Sequence, residues 1–423
     1  MTQVVTLDTL DLSRYVKRGD RIVIGQASGE PSTLVEALVR QGAGIGELSL
    51  FTASSFSSAF QPESAASFAL TSMGAIGTLR AMAKANAVQV VPCHVAQIGP
   101  LIGQGRIGCD VAMIQVSSAD ENGNHSCGVT SDYVRAAVER ARVVIAEVNE
   151  QVPFTYGETI AADEIDVSVQ VSRPPVDVPP ARIGETDEAI ARHSADYIGD
   201  GTVIQTGVGA VPDAILRLLT DRRDLGVHSG MLGDGLLDLV EAGVVTNARK
   251  EIDQGVSITG ALIGTKRLYD WAHRNAAIRM AATGYTHDAA VLARLSRLVS
   301  INSAVELDLT GQANAEMAGL AYLGGTGGLV DFVRAGVRSP GGRSIIALPA
   351  TAKGGTVSRI VPRLGGLVTT ARTETDVIVT EFGAADLRGR SLAERATQMV
   401  ALAHPDFREE LEREAHAIAR RGY

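Results

Sequence analysis

The sequence predicts an α/β protein made of two open, doubly wound domains. Three observations carry the prediction. Short Val/Ile/Leu-rich runs alternate with longer segments at helical spacing, a proline-dense stretch interrupts that alternation near the middle, and the alternation then starts again. The 423 residues, 45% hydrophobic and 21% charged, suffice for compact units of about 150 residues, each with its own core.

In the first half, strands are predicted over Arg21–Gly25, Val88–Pro92, Val111–Val116 and Val143–Val148. Ser32–Gln41 and Tyr133–Ala141 carry apolar residues three and four apart and read as helices, starting at Pro31 and Asp132. Val171–Arg182, VSRPPVDVPPAR, places four prolines in twelve residues and can continue neither a helix nor a central strand. It is read as the crossing between a domain of residues 1–180 and one of residues 181–423. In the second half, Asp187–Ile198 is predicted as a helix, Thr202–Gln205 as a strand, and GVGAVPDAILRLL as a turn into a helix. Further strands are expected at Val256–Thr259, Val299–Ile301, Val305–Leu307, Ser344–Leu348 and Val377–Thr380, and helices over Leu392–Arg421, broken at HPDF.

Composition excludes several functions. A net charge of −9 opposes the basic footprint of a nucleic-acid binder. Apolar runs end well short of the roughly 18 residues a membrane span needs, and the first residues lack a basic start followed by an apolar core. Cys93, Cys109 and Cys127 are an odd set without CxxC spacing, which supports neither disulfides nor zinc; Cys109 and Cys127 read as small buried residues. A cytoplasmic location, with no nucleic-acid or membrane partner, is therefore expected. His94, His125, His193, His273, His287, His404 and His416 show no i, i+4 pairing with an acid, so no metal is expected and each is read as structural.

The informative excess is glycine, 45 residues. Three clusters are read as following strands: Gly207–Gly209, Gly324–Gly328, and Gly341 with Gly342 before Arg343. Such turns expose backbone N–H groups suited to a phosphate or an oxyanion. None matches GxGxxG or GxxxxGK[ST], which leaves a dinucleotide or P-loop site unsupported.

Longer motifs carry a resemblance. GVGAVPDAI (207–215), LGVHSGMLGDGLLDLVEAGVVTN (225–247), INSAVELDLTGQANAE (301–316), GGTGGLVDFVRAGVRSPGGRSIIALPAT (324–351), SRIVPRL (358–364), VTEFGAADLRGRS (379–391) and AHPDFREEL (403–411) resemble the acetyl-CoA hydrolase/transferase family, which includes 4-hydroxybutyrate and butyrate CoA-transferases. ASGEP (27–31), ADENGNHSCGVTSDY (119–133) and VVIAEVNEQVPFTYGET (143–159) extend the resemblance into the first half. It implies two α/β domains of the CoA-transferase type, acyl-CoA in the cleft between them, a coenzyme A thioester as substrate with no tightly bound cofactor, and a homodimer or higher homo-oligomer. Gly207, Val208, Gly209, Ala210 and Val211 resemble the family's CoA-contacting loop. Gly324, Gly328 and Arg343 resemble further CoA-binding positions, the Arg keeping a charge suited to phosphates. Phe51–Phe60, FTASSFSSAF, is read as a surface loop, with a polar lining of an acyl pocket as its other reading.

At one position the sequence departs from the pattern. Transferases of this family attack the thioester with a glutamate and carry CoA on it as a glutamyl thioester. That glutamate lies in a motif resembling H-[ST]-E-M-x-x-D-G, and the matching run here is His228 to Gly235, with Gly230 at the nucleophile position. Glycine offers no nucleophile. Asp234, or Ser229 with His228 as base, are the candidate substitutes. Asp234 stands one turn away, and Ser229 and His228 point to opposite faces of a strand. Glu316 and Glu381 are read as cleft hydrogen-bonding groups. The missing side chain is expected to leave room for water or part of a second substrate. Three functions follow: direct acyl transfer from CoA to water or another non-carboxylate nucleophile, a catalytically silent acyl-CoA binder, or an ordinary transferase altered at Gly230.

Overall fold

The computed structural model describes residues 2–421. Two eight-stranded sheets organise it, numbered here by their strands alone. The first holds β1 (Gln3–Val5), β2 (Arg21–Ile24), β3 (Leu48–Phe51), β4 (Phe68–Ser72), β5 (Gln89–Val90), β6 (Val111–Ser117), β7 (Val143–Asn149) and β8 (Val167–Val171), in the order β1-β8-β7-β6-β2-β3-β4-β5. The second holds β9 (Val203–Thr206), β10 (Gly226–Leu232), β11 (Ser257–Leu262), β12 (Ile278–Met280), β13 (Leu298–Asn302), β14 (Arg343–Ala347), β15 (Val377–Thr380) and β16 (Gly383–Asp386), in the order β12-β11-β10-β9-β13-β14-β15-β16. Every pairing in both sheets is parallel except β15 with β16.

Helices α1 (Ser32–Ile45), α2 (Leu79–Lys84), α3 (Val95–Gly103) and α4 (Val134–Arg140) accompany the first sheet. The second carries α5 (Glu185–Ala195), α6 (Ala210–Arg217), α7 (Asp234–Glu241), α8 (Lys266–Ala272), α9 (Thr283–Thr286), α10 (Ala289–Leu292), α11 (Leu329–Arg338), α12 (Leu392–Leu402) and α13 (Pro405–Arg421). The unbroken apolar runs of β6 and β7 follow from this layering. A parallel sheet covered on both faces has no wet side, and all seven residues of β6 are buried. No described helix is long and apolar enough to cross a membrane.

The structure corrects several local expectations. The second helix begins at Val134, because Asp132 adopts φ +31 and continues a bridge to Ala282. Val88–Pro92 shortens to a two-residue edge strand. Gly341 and Gly342 do not follow a strand; they turn the chain from α11 into β14, with Gly341 at φ +73. β10 is hidden in the sequence because His, Ser and two glycines interrupt its apolar residues, yet β9 and β11 flank it on both sides.

Loops leaving the carboxyl ends of the first sheet meet the carboxyl end of the second. Ser131 N donates to Gly260 O (2.8 Å) and Leu262 N to Val129 O (2.8 Å). On another side, Ala75 N donates to Gly324 O (2.8 Å) and Val95 N to Gly327 O (2.9 Å). The proline-dense crossing has no regular structure over residues 172–184 and is tied down by Val178 N to Gly264 O (2.9 Å) and Tyr269 Oη to Val176 O (2.7 Å).

Candidate active site

In open α/β sheets ligands bind outside the carboxyl ends of the strands, where the strand order reverses. In the second sheet that point lies between β9 and β13, and the turn leaving β9 there is Gly207–Gly209, directly before α6. Gly209 has φ +137, a conformation that a side chain would strain. Val208 is 41% exposed, while Val211 is buried in the core behind it. Val208 and Gly209 line a cleft of about 150 Å³ with Gly233, Asp234 and Gly235, walled by Val178–Ala181 of the crossing.

Alternation along β10 sorts the proposed catalytic residues. His228 and Gly230 share one face; Ser229 and Met231 share the other. His228 is fully buried, its Nε2 3.2 Å from Thr286 O, and burial together with nearby Lys250 pushes its imidazole down to about 4. Ser229 is also fully buried and donates to Thr206 O (3.1 Å). They form no dyad. Gly230 is partly exposed, and it is paired across the ladder with β11, where Ser229 and Met231 face Thr259 and Ala261.

The room expected over Gly230 is not there. A Cβ built on Gly230 would stand 2.7 Å from both Cε1 and Nε2 of His287, with Phe332 Cε2 at 3.7 Å. His287 follows α9, packs against the Phe332 ring at 4.7 Å between centroids, and places Nδ1 2.8 Å from Thr286 Oγ1. A Cβ on Gly328 would lie 2.2 Å from the same Nε2. Glycine at 230 and at 328 therefore makes the slot that His287 fills. Burial, with His228 close by, pushes the His287 imidazole down to about 3, so the ring is neutral at ordinary pH. The sequence reading set His287 aside as structural; the one signal pointing to it is the pair of glycines its ring separates.

Asp234 is not positioned to replace a nucleophile. It starts α7, and both carboxylate oxygens are taken by Thr265, from N (2.8 Å to Oδ2) and from Oγ1 (2.7 Å to Oδ1). Thr265 is the N-cap of α8, so this carboxylate joins the starts of two helices, where a negative charge also suits the dipole of α7, which is a structural use. Arg343 is likewise not brought to the Gly207 turn. It opens β14 at the amino end of the strand, where its guanidinium meets Asp376 (3.0 Å) and Asp386 (3.1 Å) and lies over the Tyr197 ring. Gly324 joins the opposite strand end: its carbonyl accepts Ala75 N, and a Cβ on Gly74 would stand 2.4 Å from it. Glu381 accepts Ala350 N (2.8 Å) and Glu316 accepts Thr369 Oγ1 (2.7 Å), so both do hydrogen-bond as expected.

A buried polar nest beside the site escaped the sequence reading. Gln26, Glu30 and Asp132 are 6%, 1% and 5% exposed at the switch point between β2 and β6. Gln26 Nε2 donates to Asp132, Ser54 Oγ to Gln26 Oε1 (3.1 Å), and Ser57 Oγ to Glu30. Ser54, Ser55 and Ser57 of Phe51–Phe60 are buried, Ser58 alone of its serines being exposed, which corrects the surface-loop reading. Burial raises the Glu30 carboxyl and pushes Asp132 up to about 6. A Cβ on Gly260, in β11, would meet Asp132 Oδ1 at 2.5 Å and Gly230 O at 3.1 Å, so this carboxyl shares the neighbourhood of Gly230. Cys109 and Cys127 are buried as expected, their thiols pushed up to about 12. Among the described residues no cluster of three or more His, Cys, Asp or Glu could hold a metal ion.

Comparison with known proteins accounts for this architecture. Residues 7–180 match the acetyl-CoA hydrolase/transferase N-terminal domain, and residues 264–415 match the C-terminal domain. The 4-hydroxybutyrate coenzyme A transferase of Clostridium kluyveri is 39% identical over 401 residues, 94% of each chain. RipA from Yersinia pestis superposes with a TM-score of 0.91 at 35% identity, covering 99% of this chain and 97% of that one. A 4-hydroxybutyrate CoA-transferase from Porphyromonas gingivalis does so with a TM-score of 0.84 at 36% identity, covering 100% and 98%. Two facing sheets, glycine turns at their carboxyl ends and a sequence match running through both halves converge on one conclusion: the chain belongs to the acetyl-CoA hydrolase/transferase family.

Proposed function

We propose that the protein is an acyl-CoA-dependent enzyme that passes the acyl group from CoA directly to water or another non-carboxylate nucleophile, without carrying CoA on a glutamate. One observation supports the reading: Gly230 stands in a run, His228–Gly235, that resembles the family's H-[ST]-E-M-x-x-D-G motif, and the side-chain space above it belongs to the His287 ring. Asp234 does not take over, since both its oxygens are held by Thr265. The family's own description spans hydrolysis as well as transfer, so a water acceptor stays within its chemistry.

The thioester substrate enters at the carboxyl ends of the second sheet, with Gly207–Val211 and Gly324–Gly328 as its CoA contacts. Free N–H groups and the positive end of the α6 dipole suit a phosphate there. Residues 1–180 and 181–423 form the two CoA-transferase-like domains, and the protein works as a cytoplasmic homo-oligomer. A second reading, a silent acyl-CoA binder, draws on the same filled slot, because a ring that plugs the catalytic space also closes it.

The test is to supply acetyl-CoA or butyryl-CoA without any carboxylic acid and follow free thiol, then to repeat with labelled acetate and follow label entering acetyl-CoA. Thiol release without label exchange is expected, with water alone or on adding a panel of simple alcohols and amines. Exchange as fast as thiol release overturns the proposal, and a rise in melting temperature with CoA but no thiol release with any of these acceptors establishes the binder.

A further inference from the structure

We infer that His287 is the general base of this reaction, its Nε2 accepting the proton of the attacking nucleophile beside Gly230. The inference rests on the direct-transfer reading above and adds a residue and a proton path to it.

Geometry comes first. The Nε2 edge of the ring is bordered by Gly230 on β10 and Gly328 before α11, the two positions where a Cβ would collide with it at 2.7 and 2.2 Å. No side chain at either position separates Nε2 from the carboxyl end of the sheet, and both glycines are partly exposed. The other edge is held. Nδ1 lies 2.8 Å from Thr286 Oγ1, whose hydroxyl is also 3.4 Å from Ala282 O. A hydroxyl has one proton; with that proton on the Ala282 carbonyl, Nδ1–H is the donor to Oγ1 and Nε2 keeps its lone pair. Among the described residues Nε2 has no hydrogen-bond partner; His228 Nδ1 and His94 Nδ1 are unpartnered too, and what sets Nε2 apart is its place against Gly230 and Gly328. Phe332 fixes the ring plane from the side. The titratable groups on elements packed against His287 are His228 on β10, His94 before α3 and Asp331 on α11, with Tyr285 and Asp288 on its own segment; of these, His228 opposes its protonation.

The step balances with water as co-reactant. Nε2 takes a proton from water as the oxygen bonds to the thioester carbon. Collapse of the tetrahedral adduct breaks the C–S bond, and the Nε2 proton passes to the leaving thiolate, giving free acid and CoA thiol. An alcohol or amine in place of water gives an ester or amide by the same proton path.

The experiment follows thiol release from acetyl-CoA by wild type, His287→Ala and His287→Gln, with the CoA-induced thermal shift as a check on folding and binding. Both variants should keep the thermal shift and lose roughly 10²–10⁴-fold in kcat. Added imidazole should restore at least tenfold to His287→Ala, and that rescued rate should fall below about pH 6.5 as free imidazole protonates, while the wild-type rate stays level down to pH 5. A structural role would show neither the rescue nor its pH limb. Turnover within threefold of wild type in either variant, or a loss that imidazole does not relieve, overturns the assignment and leaves direct transfer standing. If His287→Ala fails to fold, His287→Gln decides through kcat alone. Wild type that binds CoA but releases no thiol with water, alcohol or amine acceptors overturns both readings at once.

Discussion

Gly230 and Gly328 are glycine because the His287 ring lies against both, and that reciprocity makes substitutions there informative. Gly230→Ala should cost about 1–3 kcal/mol in denaturant unfolding, since its Cβ meets a ring fixed by Phe332 and Thr286. Gly230→Glu alone should be strained for the same reason; combined with His287→Ala it gains room, and we expect CoA exchange with acetate only in the double variant. His287 also predicts a pH effect. Its folded value near 3 lies below the ordinary 6.5, so the unfolded chain binds the proton first, and stability from this group is full above pH 6.5 and lost as pH falls through the window between the two. Urea titrations should show wild type losing about 1.4 kcal/mol per pH unit more than His287→Gln between pH 6 and 5. Gly230 stood out in the sequence because its neighbours His228, Met231 and Asp234 frame it in a run that resembles the family's motif. His287 did not: its meaning comes from α9 bringing it over a strand far back in the chain, which no local spacing encodes.

At the scale of elements, the strands that could be read were the ones whose burial is symmetric. Val111–Ser117 and Val143–Asn149 are continuous apolar runs because helices cover both faces of the parallel sheet. β4, whose Thr71 and Ser72 hydroxyls donate to Leu50 O and Ala53 O, and β10, whose Gly230 makes way for the His287 ring, form no such run, since these positions carry no large apolar side chain. The same logic reassigns two candidate residues. Asp234 joins the start of α7 to Thr265, the N-cap of α8, so Asp234→Asn should cost about 1 kcal/mol of stability and change thiol release less than threefold; a hundredfold loss at unchanged stability would return it to the chemistry. Arg343 compensates Asp376, which is fully buried and also meets Arg388 (2.8 Å). Arg343→Ala should therefore lower stability by about 1–3 kcal/mol and leave the CoA-induced thermal shift intact.

For the whole molecule, the two-sheet architecture was written in the restart of the strand–helix pattern after the proline-dense crossing. How the sheets face one another was not, because hydrogen bonds such as Ser131 to Gly260 and Val95 to Gly327 join backbone atoms whatever the side chains. Those contacts bring Asp132, bonded to Gln26, of one half beside Gly230 of the other. Whether a carboxylate of this assembly carries CoA is the central question, and intact-protein mass spectrometry answers it directly. After brief incubation with acetyl-CoA and acid quench, the account predicts unmodified protein while free CoA accumulates in solution. A protein mass increased by that of CoA less one water, mapped to Asp132 or any other acid, would contradict it.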